Sequence, residues 1–377
     1  MNERFEYSKA RSAFERKQII VKAGRTLLVS GPSMIELIDG KATIYASPLN
    51  NGRRIDVVEG KQLPVEAIED STLDCYLSSS ATCSEIDGNG VPDSWMETAQ
   101  TILETGRGKA VVVGNVDNGK SAFCTILANL ALESGMKTGI LDADLGQSDI
   151  GPPATIGYGI VESHLVSLSE VTPALLYFIG YISPEPVTLR VIDGIEKLLN
   201  NAKKVDMLVV NTDGWVLDDQ AVIYKKLIID SIEPDYVVGI GKESEIKPLL
   251  QLTKTSSFQI SSPSTVLKRS RDQRKQLREF GYRRFLTDGK LSTVNTDKVQ
   301  VFRSDGKMVN PKNVDQSLVG SLVGLLDDHD WLLGIGVLMQ IVSQGFQVFS
   351  PVTKGFSKVE IGAVKIDEHG NELSYLE

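Results

Sequence analysis

The chain has 377 residues, 41% hydrophobic and 24% charged, the balance of a globular protein with room for two or three domains and a sizeable core. Its formal charge of −9 argues against a general nucleic-acid coat protein, so any polynucleotide must be met by a local basic patch. Cys75, Cys83 and Cys124 form no C-x-x-C pair and His164, His329 and His369 lie far apart, which speaks against a disulfide framework, a zinc site or a His-based triad. The opening Met-Asn-Glu-Arg-Phe-Glu carries no apolar h-region. The apolar stretch 331–342 is too short and too Gly-punctuated to span a bilayer. An intracellular protein without membrane association is therefore expected, cytoplasmic in a prokaryote or archaeon.

Residues 1–95 carry short β-like runs at 26–29, 34–37, 42–45 and 54–57, separated by the turn signals Asp39-Gly40, Asn51-Gly52 and Glu59-Gly60. That spacing predicts a small antiparallel sandwich or barrel. Gly88-Asn89-Gly90-Val91-Pro92 reads as a linker. Strand patterns at 110–113, 138–141, 207–211, 236–240 and 258–260 then alternate with helical ones, notably 217–232. Such alternation implies right-handed βαβ crossovers and a parallel sheet with ligands at the carboxyl ends of its strands. From about residue 291 the β pattern returns, at 299–302, 331–333, 347–349 and 359–366. The expected fold is α/β: a P-loop NTPase core with a parallel sheet (96–288, with an Arg-rich lid at 264–286), flanked by small β domains at 1–95 and 289–377.

Gly114-Asn115-Val116-Asp117-Asn118-Gly119-Lys120-Ser121 match G-x-x-x-x-G-K-[ST] between a predicted strand and a helix over 121–134. Backbone N–H groups and the helix dipole at such a junction favour phosphate oxygens. Lys120 then reaches the β/γ-phosphates and Ser121 offers a hydroxyl to Mg²⁺. The chain is expected to bind a nucleoside triphosphate. The second core strand runs into Asp142-Ala143-Asp144-Leu145-Gly146-Gln147, placing carboxylates on the phosphate side of the sheet. An acid there holds the metal shell or accepts a proton from an attacking hydroxyl. Residues at i and i+2 share a strand face, so both Asp142 and Asp144 are candidates, ordinary loop acids being the alternative. Gln147 is placed to position a phosphate or water.

The run Thr172 to Pro184 is aromatic and Pro-bounded and reads as a buried strand or helix start without assigned chemistry. The third strand ends Asn211-Thr212-Asp213-Gly214-Trp215-Val216, where Trp215 is either a stacking platform for a nucleobase or a core indole under a helix. Finally, Arg271, Arg274, Lys275 and Arg278 follow i, i+3, i+4, i+7 spacing behind Lys268-Arg269-Ser270. They describe a cationic helix, either a solvated face or a lid whose guanidiniums close on phosphates.

Taken in order, these motifs resemble the polynucleotide 5′-hydroxyl kinases, the family of RNA kinases of mRNA 3′-end processing and tRNA splicing, of a pre-ribosomal RNA kinase and of archaeal counterparts. The likeness also takes in Tyr177-Phe178-x-Gly180 with Ser183-Pro184, and extends over nearly the whole chain. It implies transfer of the ATP γ-phosphate to the 5′-hydroxyl of RNA, with DNA as a further substrate, and RNA-processing proteins as partners. It implies Gly114 to Ser121 as the ATP cradle, Ser121 and Asp144 at Mg²⁺, and Lys120, Asp144, Arg269 and Arg274 in catalysis, with Arg278 as the alternative lid arginine. Gln147, Thr172 and Trp215 would meet the substrate, and the N-terminal domain would help hold adenine. Asp213 and Asp142 depart from the pattern: many relatives carry a small residue at the first, and some carry Glu at the second. An ATP-bound scaffold without turnover and a P-loop ATPase switch are the competing readings; Gly241-Lys242-Glu243-Ser244 lacks the Asn-Lys-x-Asp of a guanine-specific switch.

Overall fold

The computed structural model describes residues 14–303, 305–309 and 314–376, so the first 13 positions of the expected N-terminal domain lie outside it. Nine strands come first: β1 Glu15–Val21, β2 Arg25–Ser30, β3 Ser33–Asp39, β4 Ala42–Ile44, β5 Ser47–Pro48, β6 Arg54–Val57, β7 Gln62–Ala67, β8 Ser71–Leu77 and β9 Cys83–Asp87. They pair into two sheets, ordered β1-β8-β3-β6 and β5-β4-β7-β2-β9. Alternation along the strands, clearest in β6, sends one row of side chains inward, where Val29, Ile35, Ile55, Val65 and Leu73 close a sandwich core. The stretch read as a linker is in fact packed. Gly90 donates its N–H to Glu66 at 3.0 Å, its carbonyl accepts from Thr265 at 2.9 Å, and Val91 enters the core of the next layer.

The middle of the chain runs α1 Asp93–Glu104, β10 Gly108–Gly114, α2 Lys120–Glu133, β11 Thr138–Ala143, β12 Thr155–Val161, β13 Pro173–Phe178, α3 Thr188–Asn201, β14 Met207–Thr212, α4 Asp219–Ile232, β15 Tyr236–Ile240, α5 Glu243–Leu250, β16 Ser256–Ile260 and α6 Arg271–Leu286. The sheet order is β13-β12-β11-β14-β10-β15-β16. Val111, Val112 and Val113 are wholly buried because α1 and α2 cover one sheet face while α3 and α4 cover the other. The five strands expected to be parallel are so, β11-β14-β10-β15-β16, and the sheet is mixed because two further strands extend it, β12 running antiparallel to both β11 and β13. The chain leaves β11 through a short loop at the carboxyl edge and folds straight back, with no crossover helix, so the next strand must reverse.

Seven further strands follow: β17 Lys290–Asn295, β18 Gln300–Arg303, β19 Ser321–Leu326, β20 Leu332–Val342, β21 Gly345–Ser350, β22 Lys358–Ile366 and β23 Glu372–Tyr375. They join in the order β17-β21-β20-β19-β22-β18, with β23 on β22. Tyr282 and Leu286 of α6 are buried against Leu322, Ile335 and Val364 of this sheet and Phe178 of β13. The second half of α6 is thus anchored, and its first half reaches over the carboxyl edge of the core sheet.

Candidate active site

At the carboxyl end of β10 the chain turns into α2 through Gly119, which has φ 93°. A Cβ there would stand 2.6 Å from the Trp95 ring, so the position needs glycine on both counts. Trp95 is wholly buried on α1 and fixed by its Nε1–H to the Ser261 carbonyl at 2.8 Å. It braces the loop from behind. Lys120 is 7% exposed and donates to the Asn115 carbonyl at 3.0 Å, so its ammonium lies back along the loop. Burial lowers its pKa, with the charge of Asp144 the main influence against that.

The acidic strand tip divides into two environments. Asp142 is completely buried, and its carboxylate accepts from the N–H groups of Asp149 at 2.6 Å and Ile150 at 3.3 Å and from Asn211 Nδ2 at 2.9 Å. Burial, then the charges of Asp149 and Asp144, push it up to about 7. It shapes the loop after β11 and does not line the cleft, so the expectation that both acids approach a metal is corrected for Asp142. Asp144 does line the cleft, its Oδ1 accepting from Gly146 and Gln147 N–H at 3.1 and 2.9 Å. Burial raises its pKa, opposed first by Lys120. Gln147 donates to the Arg274 carbonyl at 3.2 Å and so joins the acidic tip to the lid.

The lid meets the phosphate loop through Asp117, which the motif places in the ATP cradle without a tie to the lid. Asp117, at φ 55° with its side chain 3% exposed, accepts from the Arg269 N–H at 3.0 Å and from Arg274 Nη2 at 2.7 Å, and Arg269 Nη1 lies 3.5 Å away. Ser270 caps α6 reciprocally with Gln273, which fixes where the helix begins. The continuous cationic face expected along α6 is broken up. Arg271 is exposed, Lys275 stands 3.6 Å from Glu279, and Arg278 makes a two-pronged pair with Glu372 of β23 at 2.5 and 2.8 Å. The charge pattern could have suggested a partner for Arg274, but only the fold identifies Asp117.

Lys120, Ser121, Asp144, Gln147, Arg269 and Arg274 therefore line one cleft of about 260 Å³ between phosphate loop, N-terminal sandwich and lid, which Arg278 also borders with its guanidinium taken up by Glu372. Leu28, Tyr45, Pro64 and Val91 form an apolar stretch of its wall, naming residues that the sequence left unassigned. Trp215 stands outside this lining. It is half-buried, its ring tilted 32° against that of Tyr224 with centroids 5.6 Å apart, and its Nε1 donates to Asp218 at 2.7 Å. It still adjoins the phosphate loop, because a Cβ on the preceding Gly214 would lie 2.6 Å from Val116 N. Thr172 is not brought to the site. It is exposed, precedes β13, and the neighbouring Pro173 pairs with Gly159, in register with Ile140 rather than with the acidic tip. The opposite end of that segment arrives instead, the Ile182 carbonyl approaching Gly146.

Among the described residues no cluster of three or more His, Cys, Asp or Glu can hold a metal ion. A hydroxyl and one carboxylate on the cleft wall, Ser121 and Asp144, fit Mg²⁺, which usually takes one or two protein ligands and draws the rest from phosphate and water. No helix among the described residues is long and apolar enough to cross a membrane.

The family described as mRNA cleavage and polyadenylation factor CLP1 P-loop matches residues 114–288. The chain is 28% identical over 342 residues to a polyribonucleotide 5′-hydroxyl-kinase of Pyrococcus horikoshii, covering 77% of this chain and 94% of that protein. It is 26% identical over 344 residues to the Methanocaldococcus jannaschii protein of the same name, covering 76% and 95%. The fold is that of Clp1p in a solved Clp1p–Pcf11p complex, with TM-score 0.74 at 13% identity, over 93% of this chain and 98% of that one.

Proposed function

We propose that this chain, which belongs to the polynucleotide 5′-hydroxyl kinase family, transfers the γ-phosphate of ATP to the 5′-hydroxyl of RNA, with DNA as a further substrate. The observation that carries the reading is the convergence of Lys120, Asp144 and the two lid arginines on one cleft. Lys120 swings from the Asn115 carbonyl to the β/γ-phosphates. Ser121 and Asp144 would hold Mg²⁺, which when bound neutralises charge on those phosphates. The 5′-oxygen attacks the γ-phosphorus in line, the bond to the β–γ bridging oxygen breaks, ADP leaves, and Asp144 takes the hydroxyl proton. Arg269 and Arg274 stabilise charge on the transferring group, and adenine lies against Leu28, Tyr45, Pro64 and Val91.

Incubation with γ-labelled ATP, Mg²⁺ and paired RNA and DNA oligonucleotides ending in a 5′-hydroxyl tests the reading. Label should appear on the oligonucleotide, and removing Mg²⁺ should stop it. Hydrolysis of ATP indifferent to any nucleic acid would instead favour an ATPase switch, and no turnover at all a scaffold.

Asp117 supplies a narrower prediction. An Asp117→Asn variant keeps the backbone contact but loses the charge that holds both guanidiniums, so kcat should fall about tenfold or more, given roughly 1.5–3 kcal/mol for a hydrogen bond to a charged group. A double variant with Arg274→Ala should be little slower than Arg274→Ala alone, because the two residues act as a unit. Independent, additive losses would show that Asp117 does not work through Arg274.

A further inference from the structure

Lys225 has no place in the phosphoryl transfer just described, yet it is among the most deeply buried charges of the molecule. Its side chain on α4 is 0% exposed, and its Nζ bonds the Asp213 carboxylate at 2.8 Å and the Asp213 carbonyl at 2.9 Å. Asp213 is itself 4% exposed, and neither residue lines the cleft. Burying two ions is costly, and replacing such a pair by apolar side chains is often neutral or stabilising. Stability alone is therefore a weak reason for it.

What the pair holds is more telling. Asp213 Oδ1 accepts the Trp215 N–H at 2.9 Å. Tyr224, the neighbour of Lys225 on α4, packs its ring against Trp215, the centroids 5.6 Å apart at an interplanar angle of 32°. Asp218 holds the indole N–H, and Gly214 is wedged against Val116 of the phosphate loop. Both ends and the backbone of this aromatic turn are thus fixed relative to the phosphate loop.

We propose that the Asp213–Lys225 pair is a positioning device for the terminal base of the substrate, setting the plane of Trp215 beside the phosphate loop. This rests on the kinase reading, in which Trp215 stacks on the base at the 5′ end. The two residues do not line the cleft, and although their charges are felt at Lys120 and Asp144, the positioning proposed here acts through Trp215, which is why the Trp215→Ala background is decisive.

The test is the double variant Asp213→Ala/Lys225→Met, which removes both charges together and leaves neither ion unpaired. Base–aromatic stacking is worth about 1–3 kcal/mol, so partial loss of it should raise the KM for a 5′-hydroxyl RNA about tenfold. The KM for ATP should stay within about twofold. The effect should disappear on an oligonucleotide whose 5′ nucleotide is abasic, and in a Trp215→Ala background. Equal rises for ATP and RNA, an equal rise on the abasic end, or an RNA KM at the parent value would overturn the proposal. Should the double variant fail to fold, Asp213→Asn carries the same comparisons with a smaller rise expected, about threefold, since the amide oxygen still accepts the Trp215 N–H. RNA affinity measured by fluorescence anisotropy without ATP separates the two ideas. Base-dependent binding that responds to the pair in a protein that transfers no phosphate would sink the kinase reading alone. Transfer with binding indifferent to the pair would sink this one alone.

Discussion

Lys120→Ala should abolish measurable phosphoryl transfer while leaving the protein folded. The ammonium bonds one backbone carbonyl of its own loop, Asn115. Its loss forfeits one neutral-acceptor contact, so the melting temperature should move by no more than a few degrees. In the proposed reaction the same ammonium is the one lysine of the cradle placed to follow charge onto the β–γ bridging oxygen. Removing a single preorganised donor from a developing anion costs about 10²–10³ in kcat, and a full positive charge should cost at least that. Single-turnover assays with labelled ATP, alongside thermal unfolding, decide the matter. Transfer at the parent rate would remove Lys120 from the mechanism, and an unfolded variant would mean that its role is structural.

The elements that set up this prediction are legible in the amino-acid sequence. Apolar runs buried on both sheet faces, such as Val111 to Val113, carry an unmistakable signal, and the glycines of the phosphate loop mark a turn that other residues would obstruct. The polarity of β12 was not legible, and it had consequences. With five strands reading as one parallel sheet, the segment from Thr172 to Pro184 gave no hint of which end would face the ligand edge. Because β12 turns back, β13 begins toward the amino edge, which carries Thr172 away from the acidic tip and brings Ile182 to Gly146. A side chain's position along a strand follows from register, and register is decided by partners distant in sequence.

The same reasoning explains the divided acids and the hidden pairs. Alternation puts Asp142 and Asp144 on one face only while both remain in the strand; β11 ends at Ala143, and the turn that follows sends the two carboxylates into different surroundings. Asp117 reads only as one residue of the ATP cradle and Lys225 carries no reading at all, because their meaning lies in contacts 157 and 12 residues away in sequence, with Arg274 and Asp213 respectively. A charge on a loop or helix reads as solvated until the fold supplies its partner.

The lid arginines give the sharpest contrast, since helical spacing treats Arg274 and Arg278 alike and the structure does not. Arg274→Ala should lower kcat by about 10³-fold, the lower end of what such a guanidinium supplies, because Arg269 still faces the phosphates. Its effect on the KM for ATP should be smaller, as the triphosphate is gripped mainly by the loop. Arg278→Ala should do the reverse. Its guanidinium is committed to Glu372, and the two side chains are only 14% and 5% exposed. Truncation leaves the glutamate buried without its partner, a change that costs about 3–5 kcal/mol in stability when one member of a buried pair is removed. Denaturant unfolding should register that loss, while kcat, measured well below the melting temperature, should stay within a few-fold of the parent. If Arg278→Ala instead crippled kcat in a stable protein and Arg274→Ala did not, the finger would be the arginine one turn along, and Asp117 would be holding the wrong residue for catalysis.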